Sequence, residues 1–87
     1  MEFDWDSDKA ERNWRDHRVA FQAATRVFLD PYRIEEDDPE PSEYRQRTIG
    51  TVDGQVLFVV FTMRDSTCRL ISARVAERKE HRRYHEG

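Results

Sequence analysis

The run Val56-Leu57-Phe58-Val59-Val60-Phe61 constrains this chain more than any other stretch. It is made of consecutive β-branched, aliphatic and aromatic residues, bounded by Asp53-Gly54 on one side and Arg64-Asp65-Ser66 on the other. That pattern predicts a strand buried on both faces. No other segment is apolar enough to centre a core. Arg64, Arg69, Arg74 and Arg78 follow it closely in sequence. A rigid buried strand ringed by guanidiniums is a natural place for a site that handles phosphate, because the planar fork matches phosphate oxygens.

The neighbours of this strand extend it into a sheet. Tyr44–Val52 reads as a strand with Arg45 and Arg47 on one face, and Asp53-Gly54 is a type I′ hairpin signal. Met63-Arg64-Asp65-Ser66-Thr67 makes the next tight connection. In the strand that follows, strict alternation puts Cys68, Leu70 and Ser72 on one side and Arg69, Ile71 and Ala73 on the other. Earlier in the chain, Phe3-Asp4-Trp5 is an extended lead-in and Asp6 a candidate N-cap. A first helix over Ser7–His17 carries Ala10, Trp14 and His17 on one face. A second, over Phe21–Leu29, carries Phe21, Ala24 and Phe28 on a stripe widened by Val27 and Leu29. Asp30-Pro31 ends it. Tyr32–Glu35 suits a short edge strand, and the acid- and proline-rich residues through Glu43 suit a loop. A basic helix over Ala76–His85 closes the chain. The expected class is α+β: two N-terminal helices, a three- to four-stranded, mostly antiparallel sheet and a C-terminal helix.

Composition narrows the functional classes. The 87 residues suit one domain spanning 1–87, with 37% hydrophobic and 38% charged residues implying a small core beneath a dense surface of charge. The single Cys68 excludes an internal disulfide and has no metal-ligand spacing around it. The absence of a basic and apolar leader, and of any apolar run long enough to span a membrane, points to the cytoplasm and to no membrane partner. The net charge of −3 argues against a general nucleic-acid binder, but its distribution is uneven. Acids crowd between Glu35 and Glu43, whereas from Arg64 to Tyr84 seven Lys or Arg face three acids. The basic end decides the partner.

Phe3-Asp4-Trp5-Asp6, Lys9-Ala10, Asn13, His17, Val19, Phe21, Ala24, Val27-Phe28 and Asp30-Pro31 together resemble the opening of the BrnT toxins. The likeness continues through Glu43, Arg45, Ile49-Gly50, Val60-Phe61-Thr62, Arg64, Arg69, Ile71-Ser72-Ala73-Arg74, Ala76, Glu80 and Tyr84. It spans nearly the whole chain in order. The resemblance implies a small bacterial ribonuclease toxin of a type II toxin–antitoxin pair with a RelE-like fold. It further implies neutralisation by a BrnA-like antitoxin, in a complex with two copies of each chain, and contact with DNA only through that antitoxin. Asp16 and Val75 stand where the family usually has lysines, Arg18 where it has a glycine, and Gln46 where it has an aromatic.

RNA cleavage without a metal needs a base for the 2′-OH proton, cations for the phosphorane charge and an acid for the leaving 5′-oxygen. With no metal-ligand cluster and no cofactor motif, the sequence favours that metal-independent route. Arg74 is the first candidate for the phosphate clamp, with Arg64 beside it. His17 is a candidate acid or base, or else a helix-terminal cation favoured by the dipole. Glu80 is a candidate base, or else the partner of Arg83 or Arg74. Arg69, Arg78, Lys79, Arg82 and Tyr84 are the candidate RNA contacts, Tyr84 by stacking and the others by phosphate attraction. Trp5 and Trp14 suit packing better than stacking on bases. Two functions are open: an endoribonuclease acting on RNA, with messenger RNA under translation as one candidate substrate, and a catalytically weak antitoxin partner acting as co-repressor.

Overall fold

A computed structural model describes residues 1–87. The lead-in forms a strand, β1 (Glu2–Asp4), followed by helix α1 (Ser7–His17) and a short helix α2 (Phe21–Ala24). A 3₁₀ segment, Thr25–Leu29, continues α2. Then come β2 (Ile34–Asp37), β3 (Gln46–Val52), β4 (Gln55–Arg64), β5 (Thr67–Val75) and α3 (Arg78–Glu86). The five strands make one sheet in the order β1-β5-β4-β3-β2, antiparallel except that β1 runs parallel to β5.

The α+β class is as expected, while the strand count and element order of the RelE-like expectation need correction. Phe3 pairs with Cys68, which makes the lead-in a fifth strand placed ahead of the helices. The second helix is one α-turn that tightens into 3₁₀ before Pro31; Val27 is buried there and Leu29 is 78% exposed. β2 begins at Ile34 rather than Tyr32 and takes Glu36 and Asp37 out of the expected loop. α3 begins two residues later than expected, at Arg78.

β4 is the central strand, and its alternation gives the sheet two buried faces. Leu57, Val59 and Phe61 meet Cys68, Leu70 and Ala73 of β5 beneath Val19, Phe21, Ala24 and Val27 from the helical segment. Phe28 adds an edge-to-face contact with Phe61 at 5.0 Å. On the opposite face Val56 and Val60, with Ile49 from β3, are buried on the side where α3 packs against β3 and β4. The Asp53-Gly54 hairpin has φ values of 53° and 82°, as a type I′ turn demands.

Two local features set the phase of β5. Val60 pairs with Ser72 but Phe61 pairs with Leu70, so Ile71 is the extra residue of a β-bulge. The bulge breaks strict alternation: Ala73, not Ser72, joins Cys68 and Leu70 in the core. Arg74 is therefore turned onto the α3 face, where it pairs in register with Phe58. Beyond Arg69 no strand covers the outer edge of β5, and Asn13 fills that role. Its carboxamide accepts from Ala73 N–H at 3.0 Å and donates to Ala73 C=O at 2.8 Å and Val19 C=O at 2.9 Å.

This pairing corrects the expected face of α1. Asn13 is the buried residue, while Trp14 is 50% exposed with the Arg18 guanidinium 5.6 Å from its ring. Asp6 occupies the N-cap position through its carbonyl, which accepts Ala10 N–H at 3.0 Å, and its side chain makes no capping bond.

Candidate functional site

The α3 face of the sheet gathers most of the conspicuous charge. Arg74, delivered there by the bulge, forms a bidentate pair with Glu80: Nη1 to Oε1 and Nη2 to Oε2 are both 2.8 Å. Glu80 comes from the first turn of α3, and its Oε1 also accepts the Glu77 N–H at 2.8 Å, tying the helix N-terminus to β5. Glu77 lies 3.6 Å from Arg74. Burial opposes ionisation of Glu80, but the Arg74 fork and the Glu77 N–H together hold the carboxyl below its ordinary range. The bond to Glu80 raises the Arg74 pKa further, so each partner favours the charged form of the other.

Beneath this pair lies Phe58. The Arg74 guanidinium stands 4.2 Å and that of Arg47 5.7 Å from its ring centre, two cation–π contacts on one side chain. Arg47 donates from Nε to Glu36 Oε1 at 2.8 Å. Arg83, from α3, donates to the same carboxylate at 3.0 Å and 2.6 Å. Hydrogen bonding from Arg83 first, reinforced by Arg47, holds Glu36 at about 2 against partial burial.

A further network anchors the end of α3. Asp30 is buried, and its carboxylate accepts from Tyr84 hydroxyl at 2.5 Å, Thr51 N–H at 2.8 Å, Thr51 hydroxyl at 3.0 Å and Tyr32 N–H at 2.9 Å. Burial pushes its pKa up, but these donors together bring it down to about 2. Tyr84, whose pKa this bond raises, thus tethers α3 to the sheet through its hydroxyl.

The structure brings together some of the sequence-predicted residues and separates others. Arg74, Glu80 and Tyr84 share the α3 face. Arg78, Lys79 and Arg82 line an open depression of about 390 Å³ on the outer side of α3 with Glu77. Arg64 pairs with Thr67, six residues along β4 from Phe58, which puts it about 20 Å from the Arg74 position. Arg69 sits near that far end, engaged by Asp4 at 3.1 Å. His17 lies at the end of α1, in a depression of about 230 Å³ lined by Lys9, Arg12, Asn13, Asp16 and Ile71. No three His, Cys, Asp or Glu side chains converge as a metal site would require.

Sequence reasoning missed Glu36, Arg47 and Arg83 as one group, and Asp30 as an anchor. The available signal was cross-strand pairing. Ile34-Glu35-Glu36 alternates as Arg47-Thr48-Ile49 does, and once paired antiparallel, Glu36 faces Arg47 as Ile34 faces Ile49. Reading Glu36 as part of an acidic loop hid it.

With this geometry in view, comparison with known proteins is informative. Among curated proteins, none matches the chain. The sequence pattern of the family described as "Ribonuclease toxin, BrnT, of type II toxin-antitoxin system" matches residues 5–80, which takes in both α1 and the Arg74–Glu80 pair. The chain belongs to the BrnT family of type II toxin–antitoxin ribonuclease toxins.

Proposed function

We propose that residues 1–87 act as one toxin domain: a metal-independent endoribonuclease that inhibits translation and growth. A BrnA-like antitoxin, in a complex with two copies of each chain, neutralises it in the cytoplasm and supplies the only contact with DNA. The observation that carries this reading is the Arg74 guanidinium. It is fixed on a bulged strand end by Glu80 and Phe58 and is 29% exposed, so part of it faces solvent.

Cleavage proceeds by attack of the RNA 2′-oxygen on the adjacent phosphorus, breaking the bond to the 5′-oxygen. A 2′,3′-cyclic phosphate and a 5′-hydroxyl result. Arg74 steadies the charge gathering on the phosphorane oxygens, and Glu80 positions it for that role. An RNA strand lying over the edge of β5 meets Lys9, Arg12 and His17 beside Ile71. It meets Arg74 about 10 Å further along the strand. His17, at that distance, holds the strand beside the cut rather than at it; the 2′-OH proton passes to solvent and the 5′-oxygen takes one from it. Arg78, Lys79 and Arg82 hold phosphates on one flank, and Arg64 and Arg69 do so at the far end of the sheet. Work on ribosome-bound messenger RNA is compatible with so open a surface.

A second reading is favoured by one observation. Arg74, Arg47, Arg83 and Arg69 are all paired with carboxylates, and Asp16 adds an acid beside His17. That arrangement suits a weak catalyst serving chiefly as the antitoxin's partner and co-repressor. Labelled RNA incubated with the purified chain and EDTA, beside Arg74→Ala with its fold checked by circular dichroism, separates the two. Cutting that survives chelation and falls at least tenfold in Arg74→Ala supports the enzyme. No cutting, either there or in a translating extract, leaves the co-repressor.

A further inference from the structure

Every other close ion pair in the chain sets one guanidinium against a carboxylate of its own: Arg26 with Asp53, Arg33 with Glu35, Arg45 with Asp38, Arg69 with Asp4, Arg74 with Glu80. Glu36 differs. Two guanidiniums from distant elements, Arg47 on β3 and Arg83 on α3, converge on it with three hydrogen bonds between 2.6 and 3.0 Å. Two cations closing from separate elements on one oxyanion is the arrangement that grips a phosphate. Asp38 also approaches Arg47, at 3.9 Å, but its close partner is Arg45 at 2.9 Å.

We propose that Arg47 and Arg83 form a second phosphate-binding subsite for RNA, occupied in the free protein by the carboxylate of Glu36 as an internal stand-in for a backbone phosphate. The inference rests on the ribonuclease reading for its choice of ligand, since a chain that handles RNA offers phosphates in series. Three further observations support it. Arg47 and Arg74 lie over the same Phe58 ring, so this subsite adjoins the proposed clamp. Glu36 can leave: its side chain is 28% and that of Arg83 46% exposed, whereas Glu80 is 8% exposed and also holds the α3 N-terminus. And β2 is a four-residue edge strand paired only with β3, so rotating Glu36 outward disturbs no second neighbour. A half-exposed ion pair is a weak competitor, and RNA carrying several phosphates displaces it.

The test uses a 2′-O-methyl RNA oligonucleotide, which binds but cannot be cut, so that binding is read separately from catalysis. Glu36→Gln is expected to bind it at least fivefold more tightly than the unaltered chain. Its affinity should also fall more steeply with salt, by about 0.7 in log–log slope for each cation freed. Adding Arg83→Gln to Glu36→Gln should abolish the gain. Equal or weaker binding by a folded Glu36→Gln overturns the proposal. So does a gain confined to the antitoxin complex, which would assign the pair to a protein partner. If Glu36→Gln does not fold, the unaltered chain decides. The Nε–H signals of Arg47 and Arg83 must shift in NMR titration with the oligonucleotide, and their constancy while Arg78 and Arg82 respond rejects the subsite. Tighter binding without cleavage of ordinary RNA would uphold the subsite and defeat the enzyme reading.

Discussion

Replacing Glu80 by alanine removes three hydrogen bonds at once: two from Arg74 at 2.8 Å and one from the Glu77 N–H at 2.8 Å. The last is a helix-capping bond, and losing such a bond costs about 0.5–2 kcal/mol. The Arg74 bonds are charge-assisted, a class worth about 1.5–3 kcal/mol when one partner is lost. Here the loss is moderated, because Arg74 is partly solvated and Glu77 waits 3.6 Å away. Together these place Glu80→Ala at about 3 kcal/mol of lost stability, or roughly 15 °C in Tm for a domain this small. Glu80→Gln retains an acceptor for the Glu77 N–H and one bond from Arg74, and should lose only about 1 kcal/mol. Urea titration followed by tryptophan fluorescence is a suitable assay, since Trp5 packs edge-on against Phe21 at 5.9 Å and reports on the core. A double-mutant cycle with Arg74→Ala should give a coupling of about 1–3 kcal/mol. If Glu80→Ala costs less than about 0.5 kcal/mol, or if alanine and glutamine cost the same, the capping and clamping argument fails.

Other perturbations probe separate parts of the same construction. Asn13→Ala leaves Ala73 N–H, Ala73 C=O and Val19 C=O without their partner and should destabilise by about 2–4 kcal/mol in urea titration. Asn13→Asp should be worse, because it sets a carboxylate against two carbonyl oxygens. Gly50→Ala would place a Cβ 2.8 Å from Val27 Cγ2, 3.1 Å from Arg33 Cβ and 3.3 Å from Asp30 Oδ2. Val27 is fully buried and cannot retreat, so a loss of about 1–3 kcal/mol is expected, again by urea titration. Asp30 and Glu36 have folded pKa values of about 2, below ordinary carboxylate values. Their stabilisation is present above the unfolded values near 4 and is lost as pH falls through 4 toward 2. The urea midpoint should therefore drop between pH 5 and pH 2, and drop less in Asp30→Asn. Cys68 is fully buried and burial pushes its thiol up to about 11, so it should react with Ellman's reagent only as the chain unfolds.

How much of this was legible depended on whether the signal was local. The α1 limits, the central strand and the Asp53-Gly54 turn all follow from periodicity and turn chemistry within a dozen residues, and the structure has them. The order of the family's characteristic residues pointed to BrnT from the sequence alone. The parallel pairing of β1 with β5 was not legible, because three residues at one end of the chain say nothing about a strand more than sixty positions away. Neither was the bulge at Ile71: an extra residue leaves every side chain of plausible type and alters only the phase. Asn13 was misread because α1 was expected to bury an apolar face, whereas the need at that position was for hydrogen bonds to an uncovered strand edge. Arg74 was found as a strand-end guanidinium. Its company (Phe58, Arg47, and Glu36 beyond) needed the register of four elements.

The manner in which the sheet ends bears on how this protein behaves in a crowd of its own copies. An uncovered strand edge is a template on which another chain can add itself. At the β5 side, β1 covers Thr67–Arg69 and a neutral amide, Asn13, satisfies the backbone of Ala73 directly. At the β2 side the edge carries Glu35 and Glu36, held by Arg33, Arg47 and Arg83, so a second copy adding there must disturb ion pairs. The first barrier is indifferent to ionic strength and the second is screened by it. Any self-association provoked by salt should therefore grow from β2, leaving the edge beside α1 closed.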